Sequence, residues 1–350
     1  IGGGSVWGWW PYDKERNALY YGTGNPSTWN PVVRPGDNKW SDSTVAIDAE
    51  TGKIKWGFQT HHHDIFDYDA MSGPAVTEIT HNGRKVPVVI QTTKPGMVWI
   101  FDARDGKPIH GYDERPVPKS MVPGEMNSPT QPFPKAPPAL GRMSIGRDTL
   151  TKLDPESNRE CTAKWDELKL QNAGPFTPPF PTGNTVYLPG SSGAISWGGV
   201  SVNPDLGLAF TNVTNIPVYN GFGQTPNATD SNRGYRTIGN FTRFADRFGR
   251  PCVDGAIGEL RAARTRLRRV RISAITSNDI PAIVLPRGAR GQVDAGLGKS
   301  VARGTPGLIA PTQSIVKAVE THTIDGIEIV FQLAPETEAP AEMHMFYPQL

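Results

Sequence analysis

Apolar and polar positions alternate along this chain in short runs, and each run stops at a turn residue. Ser43 to Thr60 reads as an apolar strand, a turn from Asp48 to Gly52 and a second strand that ends near Trp56. Met97 to His110 repeats that design with Arg104, Asp105 and Gly106 at the corner. Gly199 to Thr214 repeats it about the turn from Asn203 to Gly207. Period-two alternation gives each strand one buried face, and Gly, Asn and Asp supply the positive φ that tight turns need. Recurring units of this kind predict propeller blades. An antiparallel β-sandwich satisfies the same periodicity.

Composition supports strands over helices. The 38 glycines, 33 prolines and nine tryptophans suit many short strands joined by tight turns. A net charge of +2 selects no charged partner. No stretch approaches the roughly 18 consecutive apolar residues of a membrane-spanning helix. The chain opens at Ile1 with neither an initiator Met nor a signal sequence, so a processed or truncated piece is expected. The Pro-rich segment 114–140 is predicted to wrap the surface or cover a site. Cys161 and Cys252 form either one bridge or two free thiols.

The texture changes near residue 251. Six arginines lie between Leu260 and Ile272 with no acidic residue among them, and Trp197 is the last tryptophan. The expected organisation is 1–250, an Arg-rich junction at 251–279, and 280–350. The basic run lacks interleaved aromatics, so no nucleic-acid partner is expected.

Asp67 and Asp69 carry the sharpest chemical signal. At positions i and i+2 of an extended segment, both project to one side. Paired carboxylates raise each other's pKa unless a cation lies between them. His61, His62 and His63 on an extended chain would alternate faces, which is poor geometry for chelating zinc.

Residues 2–30 (GGGSVWGWWPYDKERNALYYGTGNPSTWN) closely resemble the pyrroloquinoline-quinone-dependent alcohol dehydrogenases. HHHDIFDYD at 61–69, TTKPGMVWIFDARDG at 92–106, ERPVP with NSPTQPF, FTPP, and SWGGVSVNP at 196–204 are similar to the glucose and polyol branch. The resemblance covers about 1–255. It implies an all-β fold, the second part of an eight-bladed quinoprotein β-propeller without its first blades. Open flanks of that kind imply self-association. The implied cofactors are pyrroloquinoline quinone and Ca²⁺ or a lanthanide ion. The implied reaction is hydride transfer to the quinone from an alcohol, polyol or sugar hydroxyl, with a cytochrome or ubiquinone as electron acceptor in the periplasm.

Residue by residue, the resemblance makes Trp7 the indole on which the quinone stacks and Ser5 a hydroxyl that bonds to it. Lys94 and Trp197 are further cofactor contacts. Asn25, Asp67 and Asp69 are metal ligands, and Asp67 is also the base. Ser196 stands where relatives commonly have Asn, which removes one cofactor hydrogen bond. The family's glutamate ligand is expected upstream of Ile1.

LPRGARGQVDAGLGK at 285–299, GTPGLIAPT at 304–312 and IDGIEIVFQLAPETEAPAEM at 324–343 resemble a different family. These are the alkyl sulfatases of the metallo-β-lactamase superfamily. That implies an α/β fragment over 280–350, with Glu338 as a zinc ligand and alkyl-sulfate hydrolysis as the alternative function. One carboxylate cannot hold a dinuclear zinc site, so no sulfatase activity is expected. A chimera is implied, and an inactive propeller fragment is the third reading.

Overall fold

A computed structural model of the chain describes residues 3–28, 30–204, 207–224, 235–264, 275–277, 319–324, 327–333 and 343–346. The first sheet joins β1 (Val6–Trp7), β2 (Tyr12–Asp13), β3 (Ala18–Thr23), β4 (Ser43–Asp48) and β5 (Ile54–Gln59). Its main path runs β1-β3-β4-β5, with β2 also on β3. The hairpin expected over 43–60 is β4-β5. Asp48 closes its turn by accepting the Thr51 N–H (2.9 Å), and Gly52 there takes φ 69°.

The second sheet is an antiparallel meander of β6 (Ala75–His81), β7 (Arg84–Thr92) and β8 (Val98–Asp102). Here the expected two-strand unit at 97–110 is corrected. β8 is a single strand whose return is one bridge, Phe101 to Pro108. Proline's missing N–H prevents it from donating to a ladder at that position.

The Pro-rich segment does more than wrap the surface. β9 (Tyr112–Pro116) and β10 (Thr130–Pro134) pair as a two-stranded ribbon, and Val122 and Leu140 are buried. Each strand of such a ribbon has a free edge, which tolerates proline. The α-helix α1 (Pro155–Glu167) starts where Asp154 caps the Ser157 N–H at 2.8 Å and Pro155 fixes the first turn.

The remaining strands of this unit interleave: β11 (Leu170–Gln171), β12 (Asn184–Tyr187), β13 (Ser201–Asn203), β14 (Leu208–Thr214), β15 (Val218–Gln224), β16 (Tyr235–Arg243), β17 (Gly258–Arg264) and β18 (Ile275–Ser277). They form two four-stranded sheets, β11-β12-β15-β16 and β13-β14-β17-β18. The hairpin expected over 199–214 is β13-β14.

Within the junction expected at 251–279 lies β17. It pairs along β14 from Leu208–Arg264 to Thr214–Gly258, so the first unit comprises 1–246 with 251–277. An arginine on this strand is accommodated by pairing: Arg261 shares a face with the buried Ala263 and Glu259, and its guanidinium pairs with the Glu259 carboxylate. Cys161 of α1 and Cys252 are disulfide-bonded, with Cα atoms 5.4 Å apart. Both are fully buried, in a cluster with Leu150, Val186 and Phe244.

The second unit comprises 247–250 with 278–350. Its described residues beyond 318 form a meander of β19 (Val319–Ile324), β20 (Ile327–Leu333) and β21 (Met343–Phe346). Glu338 lies outside the described residues.

An aromatic core sits between the first two sheets and the segment 61–69. Tyr20, Trp56, Phe66, Tyr68, Trp99 and Phe101 are all buried, and the Trp99 and Phe101 rings lie parallel within 2°. Burying a side chain of this size contributes about 2–3 kcal/mol. Trp56 Nε1 and the Tyr20 hydroxyl both donate to the Ala103 carbonyl, at 3.0 and 3.3 Å.

Candidate functional site

β3 is the axis of the site. Trp7 in β1 lies opposite Gly22, and the preceding segment folds back onto the next turn. There the Gly4 N–H donates to the Asn25 carbonyl (2.8 Å) and the Gly24 N–H to the Ser5 carbonyl (2.9 Å). Gly22 has no room for a side chain, because a Cβ there would lie 1.5 Å from the Ala70 oxygen. The missing Cβ lets the segment 67–73 lie directly against β3, held by the Ala70 N–H to the Thr23 carbonyl (3.1 Å). From behind, the buried amide of Gln91 donates to the Ser72 carbonyl (2.8 Å) and the Ser72 hydroxyl (2.9 Å).

Asp67 and Asp69 converge, but by a route other than the expected one. Asp67 sits in the left-handed region at φ 67°, so the pair does not share a face of an extended strand. The carboxylates meet through Lys94. Its Nζ lies 3.0 Å from Asp67 Oδ2 and pairs with Asp69 as well. Lys94 is held by its own N–H to the Asp69 carbonyl (3.3 Å) and by the Ala194 N–H to its carbonyl (2.7 Å). Gly193, at φ 80°, leaves space for the Lys94 stem, since a Cβ there would come within 2.5 Å of Lys94 Cγ. The Asn25 main-chain N–H donates to Asp69 Oδ1. Asn25, Asp67, Asp69 and Lys94 are therefore one cluster.

The electrostatics follow from burial. Burial pushes the Asp67 carboxyl up to about 7, with repulsion from Asp69 and Asp64 adding and Lys94 opposing. Burial also raises Asp69, against the pull of Lys94. Burial depresses the Lys94 ammonium, but the two carboxylates outweigh it and leave Lys94 above its ordinary value.

The other expected residues are less closely tied. Ser5 is exposed, and only its main chain enters the turn. The Trp7 side chain lies outside the described residues. Trp197 is half exposed, while its neighbour Ser196 reaches the Met71 sulfur at 3.6 Å. The three histidines go to three environments. His61 is buried among Phe66, Tyr68 and Phe176, His62 bridges Gln59 and Glu114, and His63 meets the Gly36 carbonyl at 2.6 Å.

Sequence reasoning missed two participants. Trp9 lies on glycine backbone: a Cβ on Gly73 would stand 2.1 Å from its Nε1, and one on Gly199 3.3 Å from its Cζ2. The only signal was the clustering of tryptophan and glycine at 7–10. Asp64, fully buried, organises the turn that carries Asp67. No sequence period singles it out.

A family profile described as "PQQ: Glucose/ethanol/alcohol dehydrogenase, beta-propeller domain" matches residues 1–276. The glycerol dehydrogenase large subunit of Gluconobacter oxydans (strain 621H) is 34% identical over 211 residues, covering 59% of this chain and 28% of that protein. The quinoprotein glucose dehydrogenase of Escherichia coli (strain K12) is 33% identical over 210 residues, covering 59% and 26%. A putative dehydrogenase XoxF of Paracoccus denitrificans is 46% identical over 117 residues, covering 33% and 20%. The chain thus spans between 20% and 28% of the length of these curated relatives. A europium-containing methanol dehydrogenase superposes with a TM-score of 0.48 at 23% identity, covering 78% of this chain and 40% of that one. The alkyl-sulfatase resemblance of 280–350 finds no support in these comparisons.

Proposed function

Starting from a chain that belongs to the glucose/ethanol/alcohol dehydrogenase β-propeller family of quinoproteins, we propose that it oxidises an alcohol, polyol or sugar hydroxyl. The observation that carries the reading is the convergence of Asp67 and Asp69 on Lys94, with the Asn25 main-chain N–H donating to Asp69. Two carboxylates against one ammonium leave a net negative charge on hard oxygen donors, which fits Ca²⁺ or a lanthanide ion. Asp69, as a second carboxylate, adds an anionic oxygen that a trivalent ion exploits most. Asn25, Asp67 and Asp69 would hold the metal. Bound pyrroloquinoline quinone would supply the two-electron acceptor, and the metal its Lewis acidity.

The chain's own residues supply the rest. Asp67 takes the substrate's hydroxyl proton, and a metal held beside it would keep it as the carboxylate that a base must be. The substrate carbon gives up a hydride as its C–O bond becomes a carbonyl. Lys94 stabilises the negative charge that develops on the acceptor side. Trp7, Trp197 and Ser5 would contact the quinone. Electrons would leave to a cytochrome or ubiquinone. The buried Cys161–Cys252 disulfide favours an oxidising compartment, and the periplasm is proposed. An eight-bladed count for the whole propeller belongs to the same proposal.

The test is a titration of the full chain with quinone and either Ca²⁺ or La³⁺, followed by absorption and by dye reduction with alcohols and sugars. Quinone uptake promoted by one of the metals, with turnover lost in Asp67→Asn, is the expected result. If neither metal promotes uptake, the reading fails.

A further inference from the structure

The turn that carries Asp67 is shaped by a carboxylate with no part in the cluster itself. Asp64 has a side chain only 1% exposed, and both of its oxygens accept main-chain hydrogens of the same turn. Oδ1 takes the Phe66 N–H at 2.9 Å and Oδ2 the Tyr68 N–H at 3.0 Å. Phe66 and Tyr68 flank Asp67, the residue at φ 67°. A left-handed conformation disfavours any residue with a Cβ, so the surroundings must hold it there.

The clamp is itself anchored. The buried Arg34 donates Nη2 to the Asp64 carbonyl (2.5 Å), Nε to the Thr28 carbonyl (2.8 Å) and Nη1 to Asn38 Oδ1 (2.7 Å). The Phe66 and Tyr68 rings stack with centroids 5.2 Å apart, His61 packs against both, and the Tyr68 hydroxyl donates to the Pro189 carbonyl at 2.7 Å. Residues 64, 66 and 68 are thus fixed into the core, whereas the Asp67 side chain, 24% exposed, turns the other way to meet Lys94. Charge-assisted bonds from one carboxylate to two amides are stronger and more directional than neutral ones. A neutral amide at position 64 would turn an N–H donor towards one of the two N–H groups.

We propose that Asp64 is a positioning residue: its carboxylate clamps the Phe66 and Tyr68 amides and thereby sets Asp67 in the turn that brings it to Lys94. The catalytic part of this inference rests on Asp67 being the base.

Asp64→Asn, nearly isosteric, in the full 350-residue chain is the test, with thermal unfolding confirming that the variant is folded. Hydrogen exchange by NMR is expected to accelerate at least about tenfold at Phe66 and Tyr68, while the amides of β7 and β8 keep their rates. With quinone and metal added, kcat is expected to fall about 10²-fold while KM for the alcohol stays within about twofold, because a base displaced by about 1 Å is affected and substrate binding is not. Unchanged exchange at Phe66 and Tyr68 overturns the clamp. Accelerated exchange with unchanged kcat overturns the positioning role. If the loaded wild-type chain shows no turnover at all, the reading of Asp67 as base fails, and the exchange rates alone then decide the clamp.

Discussion

Lys94 Nζ stands 3.0 Å from Asp67 Oδ2, at the end of a side chain only 7% exposed. The same ammonium serves Asp69, so one buried cation stands against two carboxylates. Removing a single partner from such a group leaves charge buried and uncompensated, at a cost of roughly 3–5 kcal/mol. Lys94→Gln is therefore expected to lower the stability of the chain in chelator, measured by urea unfolding. Adding Ca²⁺ or La³⁺ should restore more stability to the variant than it adds to wild type. Equal metal effects in the two proteins would mean that the cluster does not bind the cation.

The raised pKa of Asp67 gives a pH dependence of definite sign. In the unfolded chain an aspartate titrates near 4, whereas burial raises this one to about 7 in the fold. The native state therefore holds the proton more tightly, and the resulting stabilisation is complete below about pH 4 and lost as pH rises to about 7. In chelator, the stability of wild type relative to Asp67→Asn should fall between about pH 4 and 7 and level off above. Bound metal favours the carboxylate, so Ca²⁺ should move this decline to lower pH. Calorimetric melting across that range measures both effects.

Asp69 tests the choice of metal. Its carboxylate is fully buried and accepts the Asn25 N–H as well as pairing with Lys94. Asp69→Ala removes an anionic oxygen, and a trivalent ion depends on such oxygens more than Ca²⁺ does. Terbium luminescence and Ca²⁺ calorimetry are expected to show the larger loss for the lanthanide. Equal losses would place Asp69 outside the metal's ligand set.

The Cys161–Cys252 bridge closes a separation of 91 residues. Loop closure of that length predicts a loss of roughly 2–5 kcal/mol when the bridge is removed. Cys161→Ala with Cys252→Ala should lower the urea midpoint accordingly. Because α1 is also tied by Ser157 to Asp246 (2.9 Å) and Lys164 to the Ala245 carbonyl (2.8 Å), the helix itself should persist in circular dichroism.

Trypsin distinguishes a strand from an exposed basic linker at Arg261. That residue lies within β17, paired opposite Thr211 of β14. Cleavage there requires the strand to open, whereas Lys119 is exposed on an irregular segment. Mass spectrometry of a digestion time course should show cleavage after Lys119 well before cleavage after Arg261.

Much of this molecule was written locally. The hairpins at 43–60 and 199–214 follow from period-two alternation about Asp, Asn and Gly turns, because strand pairing and turn geometry act over a few residues. The identities of Asn25, Asp67, Asp69 and Lys94 followed from motif resemblance. Tertiary structure decided how those four meet. The distance between Asp67 and Lys94 depends on a left-handed residue, on a carboxylate three positions earlier and on Gly193 leaving room for a lysine stem. None of these has a sequence period. It also decided that an arginine-rich stretch becomes a sheet strand, because β14 was available to pair with it, and that two cysteines 91 residues apart come within bonding distance. Local sequence sets torsions and faces. Which distant face or side chain each one meets is a property of packing, and only the folded chain specifies it.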